Sequence, residues 1–328
     1  MEKPFVLVGA AHWHAPWHRD ALLKAGCRIV AVSDPDSGAT ARLADRHGLA
    51  QYADWRAMLA AHPEAIGFVL TPPDEAPEVL AALVSAGMPI VLEKPGTVDA
   101  AALAPMASAA QRIGLPTAVP LVNRLMSFWS ELARHDPAFS RWTHAHFRIL
   151  AGPPQRYISD GVPWVLSQAR YGGGALRNLG IHAADAALTI AAGAPLRLCS
   201  AMISNRLHRL EVDDFAAATL ATDDGRTITI EAGYCMPTEA SADKQWRIHG
   251  PGWAITEDRG MLTLRTVDGM AQRASASSAR QYDDFGAVMT RMARGAPPAM
   301  ASLADLLAAQ QLVDRIYQAA SGAGQEPF

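Results

Sequence analysis

The chain has 328 residues, half of them apolar, and carries 29 basic against 32 acidic side chains for a net charge of −3. That length exceeds what one hydrophobic core usually serves, so two domains are expected, and the spread of charge without runs excludes an electrostatic footprint for nucleic acid or an anionic membrane surface. Three distant cysteines, Cys27, Cys199 and Cys235, exclude a CxxC metal site and a disulfide framework; with no leader-like start and no apolar window of membrane length, a cytoplasmic protein is expected.

In chain order, β-branched runs at 5–8, 29–33, 67–70, 90–92 and 117–119 alternate with helical patterns at 15–25, 37–47, 75–86 and 99–113. Such alternation predicts parallel βαβ units with helices on both faces of one sheet. Gly9 follows the first run, and Gly9-x-Ala11-x-x-His14 stands where a dinucleotide fold places its glycine-rich turn. Small residues there let backbone N–H groups approach a pyrophosphate, but the pattern equally suits an ordinary strand-to-helix turn. Asp34 ends the second run, where a carboxylate accepts hydrogen bonds from the adenosine ribose and favours NAD over NADP; a turn aspartate before Pro35 is the alternative. His12, His14 and His18 fall within seven residues, yet no carboxylate or cysteine stands at ligand spacing beside them, so no metal is expected.

The buried run at 90–92 delivers Glu93-Lys94-Pro95 to the carboxyl end of the sheet, where open α/β folds bind ligands. A lysine there can polarise a reacting hydroxyl and favour the developing alkoxide. Beyond Pro120 the pattern changes to alternating strands at 143–149, 198–208, 216–221, 227–234 and 246–249, which predict an antiparallel sheet. Thr222-Asp223-Asp224-Gly225 suits a hairpin between two of them. One helix, 175–192, interrupts the strands, and two more, 283–294 and 302–320, close the chain, the last capped by Ser302. On the interrupting helix Asn178 and His182 are four apart and Asp185 three further, so the three are expected on one polar stripe. His182 suits a general base, its ordinary pKa lying near neutrality.

Gly9 and its turn, Asp34-Pro35-Asp36, Thr71-Pro72-Pro73-Asp74, Glu93-Lys94-Pro95, Asn123-Arg124, Gly172-Gly173-Gly174 through His182 and Asp185, and Ser302-Leu303-Ala304-Asp305 together resemble the glucose-fructose oxidoreductase / inositol dehydrogenase / MocA (Gfo/Idh/MocA) family over essentially the whole chain. The resemblance implies an α/β fold with an N-terminal Rossmann domain (1–121) and a C-terminal α+β domain (122–328) bearing a large, mostly antiparallel sheet that mediates dimers or tetramers. It implies an NAD(P)-dependent oxidoreductase, NAD preferred and NADP possible, acting on a sugar, polyol or sugar acid. Lys94, His182 and Asn178 form the expected catalytic set. Gly9, Ala11, His12, Trp13, His14, Asp34, Thr71, Pro72, Glu93 and Lys94 are expected at the cofactor. Asn123, Arg124, Tyr157, Trp164, Arg170, Tyr171 and Arg177 join the catalytic set in binding substrate.

The chain departs from the family where Asn178 replaces an aspartate four residues before the histidine, where His14 stands for the third glycine, and where Ala76-Pro77 replaces a frequent histidine. Without that carboxylate, the pKa of His182 should be lower. The departures admit two rivals: a redox-neutral hydrolase, epimerase or lyase with permanently bound NAD, and a catalytically silent nucleotide-binding regulator.

Overall fold

The computed structural model describes residues 2–44, 47–239, 241–275 and 277–322. Six parallel strands form the first sheet: β1 (Phe5–Val8), β2 (Ile29–Ser33), β3 (Ala50–Tyr52), β4 (Ile66–Val69), β5 (Ile90–Leu92) and β6 (Thr117–Ala118). Their order, β3-β2-β1-β4-β5-β6, is that of a Rossmann sheet and reverses direction between β1 and β4. Helices α1 (Ala15–Lys24), α2 (Ser37–Ala44), α3 (Trp55–Ala61), α4 (Ala76–Ser85) and α5 (Ala100–Arg112) make the crossovers. Positions 45 and 46 of the expected second helix lie outside the described residues. Local chemistry starts several of these helices. Asp54 accepts from Arg56 N at 2.9 Å and Asp99 from Ala102 N at 2.8 Å, each satisfying a donor the helix leaves free. β1 and β4 are buried along their whole length, as strands covered on both faces must be. The short exposed β3 has no buried face to read, and α3, though apolar, spans barely two turns, too few for its period to repeat; both escape the sequence reading.

After α6 (Ser127–His135) the chain builds an eight-stranded sheet from β7 (His144–Ala151), β8 (Arg197–Ser204), β9 (Phe215–Ala221), β10 (Thr227–Gly233), β11 (Ala242–Gly250), β12 (Trp253–Asp258), β13 (Met261–Thr266) and β14 (Gly269–Ala274). The order is β14-β13-β12-β11-β7-β10-β9-β8, antiparallel throughout except for β7 beside β10. The expected Asp-Gly turn joins β9 to β10, closed by Thr222 N on the Arg226 carbonyl at 2.9 Å. β14 is exposed at every position, and a strand with no buried face leaves no alternation to read. Short helices α7 (Gln155–Ser159) and α8 (Gln168–Tyr171) precede the long α9 (Ile181–Ala191), which lies on the sheet face carrying Phe147, Ile230 and Trp246.

The last two helices, α10 (Ser278–Ala293) and α11 (Leu303–Gly322), return to the body of the molecule. Phe285, Met289 and Met292 of α10 pack with Phe5, Leu7 and Leu22, so a distant part of the chain completes the core beneath the first sheet. Each such fully buried side chain contributes roughly 1.5–3 kcal/mol. Ser302 caps α11 as expected, its hydroxyl accepting from Asp305 N at 3.2 Å while Asp305 accepts from Ser302 N at 2.8 Å.

Candidate active site

At the carboxyl ends of β1, β2 and β4 lies a cavity of about 520 Å³ lined by Gly9, Ala11, His12, Ser33, Asp34, Thr71, Pro72, Trp164 and Arg170. Gly9 has φ +104°, and a Cβ there would stand 2.5 Å from the Leu70 carbonyl carbon, so the turn closes only around glycine. Asp34 accepts from Ala11 N and from Asp36 N, both at 2.9 Å. It therefore braces the turn as well as lining the cavity, and each oxygen keeps a lone pair for a ligand hydroxyl. Ser33 and Thr71 line the same space, and their hydroxyl oxygens are buried without a hydrogen-bond partner among the described residues. Orphaned hydroxyls in a cavity of ligand size fit a polar nucleotide. Asp34, Asp36 and Asp54 line it together with Arg56, which pairs with Asp54 and Glu78.

Trp13, His14, Glu93 and Lys94, also expected at the cofactor, do not line this cavity. Trp13 stacks on His12 at 4.0 Å between ring centroids and has Lys94 Nζ over its ring at 5.7 Å. Glu93 turns into the core. One carboxylate oxygen meets His14 Nδ1 at 3.0 Å and the other His18 Nε2 at 2.6 Å. The carboxylate that the local sequence lacks beside these histidines is thus supplied from β5, 75 residues after His18. A separation of 2.6 Å is that of a hydrogen bond, shorter than the ~3.3 Å between two ligands of a tetrahedral zinc. Burial opposes ionisation of Glu93, yet the two imidazoles hold its carboxyl well below the usual range, while burial drives His14 down to about 4.

Lys94 is buried, and its ammonium donates to Asn178 Oδ1 at 2.6 Å and to the Asn178 carbonyl at 3.1 Å. The Asn178 amide is then completed by three tyrosines. Tyr171 OH donates to Oδ1 at 3.1 Å, and Nδ2 donates to Tyr157 OH at 2.6 Å and Tyr234 OH at 2.9 Å. Both ends of the amide are used within the protein, and Asn178 orients Lys94. Burial lowers the Lys94 pKa to about 8, with the Arg156 charge adding to the effect and Glu93 opposing it.

Asn178 sits in a π-helical turn, Leu176–Gly180, that winds into α9. Such turns recur at functional sites. The turn is anchored from the β8–β9 connection, where Asp213 accepts from Gly174 N at 2.7 Å and Leu176 N at 2.8 Å. The approach is tight: a Cβ on Gly174 would lie 2.0 Å from the Asp213 carbonyl oxygen. The stripe expected on a regular helix is broken. Asp185 pairs with Arg124 at 2.6 Å, and Arg124 also reaches Asp305 at 3.2 Å, so both are committed to joining α9 to the start of α11. His182 is half-buried, its Nδ1 without a hydrogen-bond partner among the described residues. Its pKa is pushed well below the ordinary value by burial first and then by Lys94 and Lys244.

Of the remaining expected substrate residues, Tyr157 and Tyr171 belong to the Asn178 cage, and Trp164 faces Trp13 at 5.6 Å. Asn123 is buried and its Oδ1 accepts from Lys244. Arg170 lines the cavity but pairs with Asp74 and Glu75. Arg177 is drawn away to Asp314 at 2.6 Å and the face of Tyr317, where it secures α11. Sequence reasoning missed Tyr234 and Lys244. Lys244 has the same parity on β11 as the buried Trp246 and Ile248, a signal lost because the predicted strand starts too late.

Residues 3–119 match the oxidoreductase family with an NAD-binding Rossmann fold, and 138–256 match the Gfo/Idh/MocA C-terminal domain. The chain belongs to the Gfo/Idh/MocA oxidoreductase family. No curated protein matches it. Among solved structures, an oxidoreductase from Agrobacterium radiobacter with NAD+, L-tartaric acid and magnesium is 19% identical; 98% of this chain and 97% of that one superpose with TM-score 0.84. Levoglucosan dehydrogenase with NADH and levoglucosan is 17% identical over 98% of both chains, TM-score 0.84. The WlbA dehydrogenase from Bordetella pertussis with NADH and UDP-GlcNAcA is 20% identical over 100% and 99%, TM-score 0.81. At these identities the likeness carries the fold. The family assignment makes the chain an NAD-binding oxidoreductase with a Rossmann domain, and no described helix is long and apolar enough to cross a membrane.

Proposed function

We propose that this oxidoreductase prefers NAD and interconverts a hydroxyl and a carbonyl on a sugar, polyol or sugar acid, with 1–121 as the dinucleotide-binding unit and 122–328 as the substrate-binding and oligomerisation unit. The observation that carries the reading is the Asn178-held Lys94 ammonium, placed beside the aromatic group His12, Trp13 and Trp164 that leads to the nucleotide cavity. Nicotinamide, when bound, accepts a hydride from the reacting carbon or returns one to it. Lys94 spends two protons on Asn178, and its third is free to hydrogen-bond the reacting oxygen and stabilise alkoxide character. His182, neutral at pH 7, takes the hydroxyl proton in oxidation and gives it back in reduction. Trp13, Trp164 and Tyr157 form an aromatic wall suited to the C–H faces of a sugar ring and to excluding water.

Solved relatives that hold NADH with levoglucosan or UDP-GlcNAcA support the sugar class. The engagement of Asn178 with Lys94 supports a positioning role for asparagine here. We place the enzyme in the cytoplasm as a homodimer or homotetramer joined through the second sheet. The test is calorimetric titration with NADH and NADPH, after a check for bound nicotinamide, followed by a sugar and polyol screen. Micromolar NADH binding, weaker for NADPH, with turnover lost in Lys94→Ala and His182→Ala, is expected. No nucleotide bound or binding would overturn the reading.

A further inference from the structure

The nucleotide cavity is lined from two distant parts of the chain. Gly9, Asp34, Thr71 and Pro72 stand at strand ends of the first sheet, while Gly161, Trp164 and Arg170 come from the segment between α7 and the glycine triplet at 172–174. That segment is rooted beside the second sheet. Val162, Val165 and Tyr171 are buried with Tyr157 and Tyr234, and Glu211 holds Ser167 Oγ at 3.3 Å and also accepts from Gln168 N. It reaches the first sheet at two places. Trp164 meets the His12 ring at 5.7 Å between centroids. Arg170 meets the turn that follows β4: Nε donates to Asp74 at 3.0 Å, Nη2 donates to Glu75, and the Arg170 carbonyl accepts from Asp74 N at 3.2 Å.

The two ties differ in kind. His12 and Trp164 are both buried, so their contact is shielded from water. The Arg170 tie is open to solvent: its side chain is 40% exposed, against 32% for Asp74 and 51% for Glu75. Ion pairs so exposed are weak and screened by salt, which makes this the tie that parts first. Resting on the nucleotide reading of the cavity, we propose that Arg170, Asp74 and Glu75 form a salt-labile clasp that gates entry and exit of the dinucleotide. Every link in it joins protein to protein, so it slows both directions and sets the exchange rate more than the affinity. Nε and Nη2 are both engaged by carboxylates, which distinguishes Arg170 from an arginine free to grip a phosphate with its fork.

The test measures NADH association and dissociation by stopped-flow fluorescence on the full chain, with each variant checked by melting. Arg170→Met is expected to raise both rate constants together by roughly 3–10-fold while Kd moves by less than about 3-fold, and Asp74→Asn to act in the same direction. Dissociation from the parent should quicken between about 0.05 and 0.5 M sodium chloride, more steeply than from either variant. Asp74→Asn separates a clasp from a grip, because an arginine released to bind a cofactor phosphate would slow dissociation where an opened clasp speeds it. Slower dissociation in Asp74→Asn, a weaker Kd in Arg170→Met with association unchanged, or rates unchanged in both variants overturns the clasp and leaves the oxidoreductase reading intact. Failure of the parent to bind NADH overturns both.

Discussion

Lys94 and Asn178, 84 residues apart, are joined twice: one ammonium reaches both the side-chain oxygen at 2.6 Å and the main-chain carbonyl at 3.1 Å of the same residue. An aspartate at this position would add a charge and remove the amide protons that Tyr157 and Tyr234 accept. The asparagine holds the lysine while leaving its pKa low.

Asn178→Ala leaves Lys94 and three buried tyrosine hydroxyls short of partners. A stability loss of about 2–4 kcal/mol is expected in urea unfolding, with kcat reduced more than KM changes. Asn178→Asp should instead raise the pKa of Lys94.

The pH dependence follows from Lys94. Its pKa of about 8 lies below that of a free lysine, so the donating, charged form is lost as pH rises through 8. An alkaline fall in kcat/KM near pH 8 is expected, moving upward in Asn178→Asp and in Arg156→Gln, which removes a neighbouring positive charge. For stability the sign is reversed: between about 8 and the ordinary value near 10.4 the unfolded chain binds more protons, so this group favours folding more as pH rises. A limb unchanged in both variants would assign it to another group.

Asp34 braces Ala11 and lines the nucleotide cavity. Asp34→Ser should narrow the preference of NADH over NADPH by about 10-fold, the worth of one lost charge-assisted contact, and this is measured by comparing the two dissociation constants.

His14→Gly restores the third small residue of the turn but leaves Glu93 with a single imidazole. A loss of roughly 1–3 kcal/mol is expected, and the parent protein should show no rise in melting temperature with zinc. A zinc-dependent rise abolished by His14→Gly would instead make the cluster a metal site.

Arg124→Ala strands the buried Asp185 carboxylate, whose pKa burial already raises against the pull of the guanidinium. About 3 kcal/mol should be lost, and restored in part by the second change Asp185→Asn, as read in a double-mutant cycle.

Much of this protein is legible in short windows. The runs at 5–8, 29–33 and 90–92, the Gly9 turn, Asp34 at a strand end, the Asp-Gly hairpin and the Ser302 cap each depend on residues within a few positions of one another, and the structure places them as the pattern requires. Period and turn chemistry are local, so one stretch of sequence suffices to read them. The site was decided elsewhere. Glu93 pairs with His14 and His18, Arg177 with Asp314, Asp185 leaves the expected stripe for Arg124, and Lys244 comes from a strand whose start the pattern misjudged. These pairings close across many tens of residues, and a buried charge takes whichever partner packing brings within reach, because desolvation makes an unpaired one too costly. Sequence alone determined the strands and turns whose pattern is local, and only the tertiary structure decided which partner each buried polar group takes.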